Sequence, residues 1–118
     1  MSRHNEIGAI GELLALEYLQ SKNYEILVTN WRFGRAEIDI IAMFKDTLIF
    51  AEVKTRSYDY FGKPEEFVTS RKEMLIAHAA NEYMKKIKYE WAIRFDIISI
   101  IYRSNSDFQL EHFEDAWW

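Results

Sequence analysis

Apolar positions change their spacing along the chain, and the changes mark out its elements. From Asn5 to Lys22 they recur every three or four residues, which predicts a helix. "YEILVTNW" (Tyr24–Trp31) reads as a strand and "RFGR" as a short turn. The most apolar stretch then runs from Ala36 to Phe44 and from Thr47 to Thr55, a hairpin closed by "KD". "RSYDYFGKPEEFV" comes next as a loop punctuated by Gly62 and Pro64. A second helix begins at Ser70, where Ser70 and Glu73 carry a capping-box signature, and runs to about Lys88. Lys85, Lys86 and Lys88 suit the negative end of its dipole. "WAIRFDIISIIY" and "DFQLEHFE" are strands separated by the turn-prone "RSNS". The order α-β-β-β-α-β-β predicts an α/β fold, a sheet flanked by helices.

Arranged at about 100° per residue, the first helix gathers Ile7, Ile10, Leu14, Ala15, Leu16, Tyr18 and Leu19 on one broad apolar arc. Glu6, Glu17 and Gln20 fall opposite, but Glu12 projects into the arc between Leu16 and Leu19. A carboxylate there needs a compensating partner: a basic side chain, water at the arc's edge, or the contents of a functional cleft. Gly8 and Gly11 beside it weaken the helix by about 1 kcal/mol each against alanine. A close approach of the sheet to that turn would account for both.

With Lys45 and Asp46 as the hairpin turn, Phe50 faces Ile41, Asp39 faces Glu52, and Glu37 faces Lys54. Alternation then places these four charged residues on one face with Ile41, Met43, Leu48 and Phe50. The other face, with Ile38, Ile40, Ala42, Ile49, Ala51 and Val53, is apolar throughout. Such a hairpin is covered on both sides except for a charged notch at one end. Two carboxylates directly opposite repel each other, unless a proton, a basic side chain or a cation intervenes.

Two readings fit that spacing. In one, Glu37–Lys54 is an exposed cross-strand ion pair and Asp39–Glu52 a coincidence of register. In the other, Asp39 and Glu52 hold a hard divalent cation, Mg²⁺ or Mn²⁺ rather than zinc, and Lys54 reaches the same notch. Metal-assisted phosphodiester hydrolysis needs such a set. The metal polarises a phosphoryl oxygen and acidifies water; the lysine orients that water or offsets charge on the phosphate.

At 118 residues the chain is expected to be one domain spanning residues 1–118. It has no cysteine, which excludes a disulfide framework and a thiolate metal site. "MSRHNEIGAIGELLALEYL" has no signal-peptide pattern and no run approaches bilayer length, so a soluble, cytoplasmic protein without a membrane partner is expected. A net charge of −4 argues against a nucleic-acid partner. A cation site must carry surplus carboxylates, however, and between Arg32 and Lys72 acids and bases are mixed. Arg32, Arg35, Arg56, Arg71 and Lys72 are candidate phosphate contacts. Lys72 shares an arc with Ile76, Ala79, Tyr83 and Ile87, from which it reaches the notch or snorkels to water. Tyr58, Tyr60 and Phe61 either stack on bases or pack their loop down. His78 falls on the solvent side, and His4 and His112 are too isolated to be ligands. Asp96 is expected to pair with Arg94 or a neighbouring loop, and Trp117 and Trp118 to cover the domain or a second subunit.

"GAIGELLALEYLQSKNYEILVTNWR", "AEIDIIA", "FAEVKTR", "FG" and "RFDIISI", spread from about Ile7 to Phe113, resemble the YraN family of small bacterial proteins. That family is similar to the restriction-endonuclease-like, PD-(D/E)xK group, whose archaeal Holliday-junction resolvases share the layout. The resemblance implies a restriction-endonuclease-like fold with a mixed central sheet between helices. It also implies that Glu12, Asp39, Glu52 and Lys54 correspond to the helix acid, the hairpin acid and the acid-x-lysine pair of those nucleases. Mg²⁺ or Mn²⁺ would then be held by Asp39, Glu52 and Glu12. Ala36 stands where the family usually has glycine, which asks only for an ordinary backbone angle. The expectation is a metal-dependent nuclease with nucleic acid as partner, DNA foremost and branched or flap-like in form. A homodimer would place two such sites on one substrate. The alternative is a non-catalytic nucleic-acid-binding or scaffold protein that retains the fold.

Overall fold

A computed structural model describes residues 3–58 and 70–116. Tyr60, Phe61, Gly62, Pro64, Trp117 and Trp118 lie outside the described residues, as does the side chain of His4. The elements come in the expected order: α1 (Arg3–Ser21), β1 (Glu25–Phe33), β2 (Ala36–Phe44), β3 (Thr47–Ser57), α2 (Ser70–Ile87), β4 (Ile93–Ser104) and β5 (Asp107–Phe113). The five strands form one sheet in sequence order. All neighbours are antiparallel except β3 and β4, which run parallel with α2 between them in sequence. The sheet is therefore mixed.

Because β2 and β3 are apolar on both faces, each face takes a helix. On one side, Ala15 and Leu19 of α1 pack against Ile40, Ala42, Ile49, Ala51, Ile98 and Ile100. On the other, Ile76, Ala79, Ala80 and Tyr83 of α2 cover Ile38, Ile41, Leu48, Phe50 and Phe95. Gly11 sits so close to β3 that a Cβ there would overlap the side chain of Thr55. Gly8 faces open space, so close packing does not account for it.

The β2–β3 hairpin turns at Lys45, whose φ is 54°, and its register runs from Phe44↔Thr47 to Ile40↔Ala51 as expected. Beyond Ile40 the pairing stops. Asp39 Oδ2 accepts the Val53 N–H at 2.8 Å, so a side chain takes over from the ladder. Asp39 and Glu52 are therefore not a directly paired cross-strand couple. Nor does Glu37 pair with Lys54: it binds Arg32 at 2.8 Å and accepts from Asn30 at 3.2 Å, both on the neighbouring β1.

Ile38 also departs from simple alternation, joining Ile41 and Phe50 on the α2 side. On β1, Val28 and Trp31 share that side, so both strands lose a beat at the same level. Asn30 lies between them with φ 52°, and the β1–β2 register slips between Ile26 and Val28. A left-handed residue inside a strand rotates the residues beyond it, and this rotation turns the outer end of the hairpin toward α2.

Asp96 on β4 is fully buried and heavily bonded. Arg94 donates to it through Nε and Nη2, each at 2.8 Å, and the Asp115 N–H donates at 3.0 Å. His112 Nε2 stands 2.7 Å away, while its Nδ1 meets Tyr18 OH at 3.0 Å. The Arg94 pairing was expected, but His112 is not isolated. Burial pushes the Asp96 carboxyl up, yet the bonds from His112, Arg94 and Asp115 outweigh it and hold the carboxyl below its ordinary range. This network fastens β5 and the segment after it to β4 and α1.

Candidate functional site

Where the β2–β3 ladder opens, the sheet, α1 and α2 enclose a cleft of about 350 Å³. Glu12, Arg35, Glu37, Asp39, Glu52, Lys54 and Lys72 all line it. Each arrives by local rule. Glu12 comes directly after Gly11, which packs against Thr55 of β3, and reaches the opening half-buried. Glu52 and Lys54 are two residues apart on β3 and so project to one side. Lys72 lies one turn before Ile76, on the buried face of α2.

Glu52 is the centre of the arrangement. It is 3% exposed, and its Oε2 takes an ion pair from Lys72 at 3.3 Å. Among the described residues, its Oε1 is buried without a hydrogen-bond partner. Burial, then the charge of Asp39, pushes its carboxyl up to about 8 against the opposing pull of Lys72. Asp39 is raised by burial, in spite of the Val53 N–H and the nearby lysines. Glu12 is raised by burial, offset by a hydrogen bond from Asn30 Nδ2 at 2.9 Å.

The lysines shift in opposite directions. Burial, then the bond and charge of Lys72, lower Lys54 to about 8. Burial would lower Lys72 too, but Glu52 and the bonds to Lys54 and Glu52 raise it overall. Lys72 is thus the firm cation of the pair, and Lys54 sits near the point of proton exchange.

The donor set is oxygen, as a hard divalent cation requires, and among the described residues Glu52 Oε1 accepts from no donor. Among the described residues, no three acidic or histidine side chains stand close enough to ligate one ion in this conformation. Each carboxylate is engaged elsewhere: Glu12 by Asn30, Asp39 by the Val53 N–H, and Glu52 by Lys72.

Of the candidate phosphate contacts, Arg35 and Lys72 line the cleft, while Arg32, Arg56 and Arg71 do not. Arg32 is spent on Glu37, Arg56 donates to the Thr55 carbonyl at 3.2 Å, and Arg71 lies exposed on α2. Tyr58 is exposed, with the Arg103 guanidinium 4.5 Å from its ring centre. His78 is exposed on α2 as expected, its ring edge-on to Phe33. Asn30 was not anticipated. Its signal was an asparagine inside an apolar strand, a residue type that resists strand geometry and tolerates positive φ.

The structure thus defines a mixed α/β sheet protein with an acidic cleft braced by two lysines. Residues 11–100 match the uncharacterised protein family UPF0102, and the chain belongs to that family, the YraN family whose motifs it shares. The UPF0102 protein of Flavobacterium psychrophilum is 48% identical over 118 residues, covering 100% of this chain and 98% of its own length. That of Christiangramia forsetii is 47% identical, covering 98% of this chain and 97% of its own length. That of Alkaliphilus oremlandii is 41% identical, covering 96% of this chain and 98% of its own length. Among the described residues, no helix is long and apolar enough to cross a membrane.

Proposed function

We propose that this chain is a metal-dependent nuclease that hydrolyses phosphodiester bonds of DNA, with branched or flap structures as substrates. One observation carries the reading: a buried glutamate, Glu52, with an oxygen unsatisfied among the described residues, facing a cleft shared with Asp39, Glu12 and two lysines. Most buried side-chain polar atoms are hydrogen-bonded, and among the described residues Glu52 Oε1 and Thr55 Oγ1 are the exceptions, of which Glu52 belongs to the cleft. The likeness of "AEIDIIA" and "FAEVKTR" to the PD-(D/E)xK nucleases supports the same reading, as analogy.

Mg²⁺ or Mn²⁺ would be held by Asp39 and Glu52, with Glu12 completing the set directly or through water. When bound, such an ion polarises a phosphoryl oxygen and acidifies an attacking water. Lys54, lowered to about 8, holds or releases a proton at Nζ beside the reacting phosphate and offsets its growing charge. Lys72 and Arg35 at the cleft wall bind the phosphate itself. A homodimer would present two such clefts to one branched substrate.

The test is cleavage of labelled duplex, single-stranded, flap, four-way-junction and RNA substrates with Mn²⁺ or Mg²⁺, by the protein and its Lys54→Ala variant. Cutting of branched or flap DNA that needs both the metal and Lys54 is the expected result. Salt-sensitive binding with no cleavage of any substrate would overturn it in favour of a non-catalytic nucleic-acid-binding protein.

A further inference from the structure

Besides Glu52, three carboxylates converge on the cleft: Glu12 from α1, and Glu37 and Asp39 from β2. Left to themselves they repel. A single side-chain nitrogen joins two of them. Asn30 Nδ2 donates to Glu12 Oε1 at 2.9 Å and to Glu37 Oε1 at 3.2 Å, one N–H for each. Glu37 is fixed from its far side by Arg32 at 2.8 Å, so a chain of bonds runs from Arg32 through Glu37 and Asn30 to Glu12.

The backbone is shaped for this contact. Asn30 has φ 52°, a left-handed conformation that costs most residues about 1–2 kcal/mol and that asparagine tolerates better. It lies between the pairs Thr29↔Ile40 and Trp31↔Ile38, and therefore opposite Asp39. Its side chain meets Glu12 and Glu37, two residues of the cleft wall, where the alternation of both strands slips. Strain in the backbone and a two-carboxylate amide at one position indicate a function beyond strand formation.

We infer that Asn30 is a positioning residue that holds the Glu12 carboxylate in the cleft for the divalent cation. The inference rests on the nuclease reading and deepens it. Asn30 ligates nothing itself; its amide sets the orientation of the Glu12 carboxylate through the bond at 2.9 Å. Amides and carboxylates behind metal ligands act in this way, and their loss weakens metal binding about 10- to 100-fold.

Asn30→Gly separates side chain from backbone, because glycine accepts the same positive φ without strain. Mn²⁺ affinity, measured by calorimetric titration without nucleic acid, is expected to fall at least about tenfold, with the metal-free melting temperature within a few degrees of the parent. In a Glu12→Ala background the same substitution is expected to change nothing further, since its effect passes through Glu12. Asn30→Ala removes the same amide and provides the same comparison should the glycine variant fold poorly, with the same loss expected.

Either of two results overturns the inference. One is unchanged Mn²⁺ affinity in Asn30→Gly while Glu12→Ala weakens it, which leaves the metal site standing. The other is an equal loss in the presence and absence of Glu12, which makes Asn30 structural. Absence of Mn²⁺ binding by the parent protein is a different failure, that of the nuclease reading, and takes this inference with it.

Discussion

Replacing Glu52 by glutamine is expected to stabilise the metal-free protein, increasingly so as pH rises. Burial and Asp39 lift the Glu52 carboxyl from its ordinary 4.5 to about 8. A raised acid contributes stability that is fully present below its unfolded value and lost as pH rises through its folded value. The parent therefore loses stability between about pH 4.5 and 8, and glutamine, which does not ionise, removes that loss. At about 1.4 kcal/mol per pH unit, the full span amounts to about 5 kcal/mol. The opposing pull of Lys72, a third exposed and paired with Oε2, is already contained in that value. Glutamine keeps an acceptor for that lysine but not the ion pair. The gain at pH 8 is then at most about 5 kcal/mol, or about 20 °C at about 4 °C per kcal/mol for a domain of this size.

Thermal melts of both proteins in EDTA, from pH 5 to 8, read this directly. The difference should shrink below about 1 kcal/mol near pH 5, where the parent carboxyl is protonated. Lys54, lowered to about 8, changes charge only at the top of the window and does not disturb the slope below it. Excess Mn²⁺ should reverse the order, because the ion stabilises only the protein that binds it. A Glu52→Gln variant no more stable than the parent at pH 8, or a difference that does not vary with pH, would refute the reasoning from burial.

Lys72→Met removes the ammonium that meets Glu52 and is expected to tighten Mn²⁺ binding about fivefold in a calorimetric titration; weaker binding would mean that Lys72 holds Glu52 in its ligating pose. Gly11→Ala drives a methyl into Thr55, and chemical denaturation should show a loss of about 1–3 kcal/mol despite the better helix propensity; unchanged stability would show that α1 slides away freely. Asp96→Ala leaves Arg94 and His112 without their buried carboxylate and should lower stability by about 3–5 kcal/mol. A melting temperature within about 4 °C of the parent, which is about 1 kcal/mol, would show that the network is dispensable.

The order of elements was legible because each announces itself in a period that one sequence carries: a three-to-four spacing in α1, alternation and apolar runs in β2 and β3, and a capping signature at Ser70. The hairpin register was legible because Lys45–Asp46 leaves one two-residue turn, and that register holds through Ile40↔Ala51. The opening of the ladder beyond that pair was not legible. It opens because the Asp39 side chain captures the Val53 N–H, and a contact between a carboxylate and a backbone group 14 residues on has no period. The slip that brings Ile38 to the α2 side depends on one left-handed residue, Asn30, on a different strand. His112 looked isolated for the same reason: its partners, Asp96 and Tyr18, are 16 and 94 residues away.

Failure of strict alternation is also what makes the cleft usable. Continued pairing would set Asp39 against Glu52, two like charges, and close Glu37 onto Lys54. Opening the ladder instead diverts Glu37 to Arg32 and Asn30, and anchors Asp39 on the Val53 N–H. Lys54, deprived of Glu37, is left beside Lys72 with its pKa lowered. Among the described residues, Glu52 has a partner at Oε2 and none at Oε1. Each of these departures costs stability, and each is borne by the apolar clusters that flank the hairpin, in which Ile38, Ile40, Ile41, Leu48, Ile49 and Phe50 are at most 1% exposed. A chain that buries its most apolar hairpin can keep an unsatisfied acid and a lowered lysine at its end, because the rest of that hairpin has stability to spare.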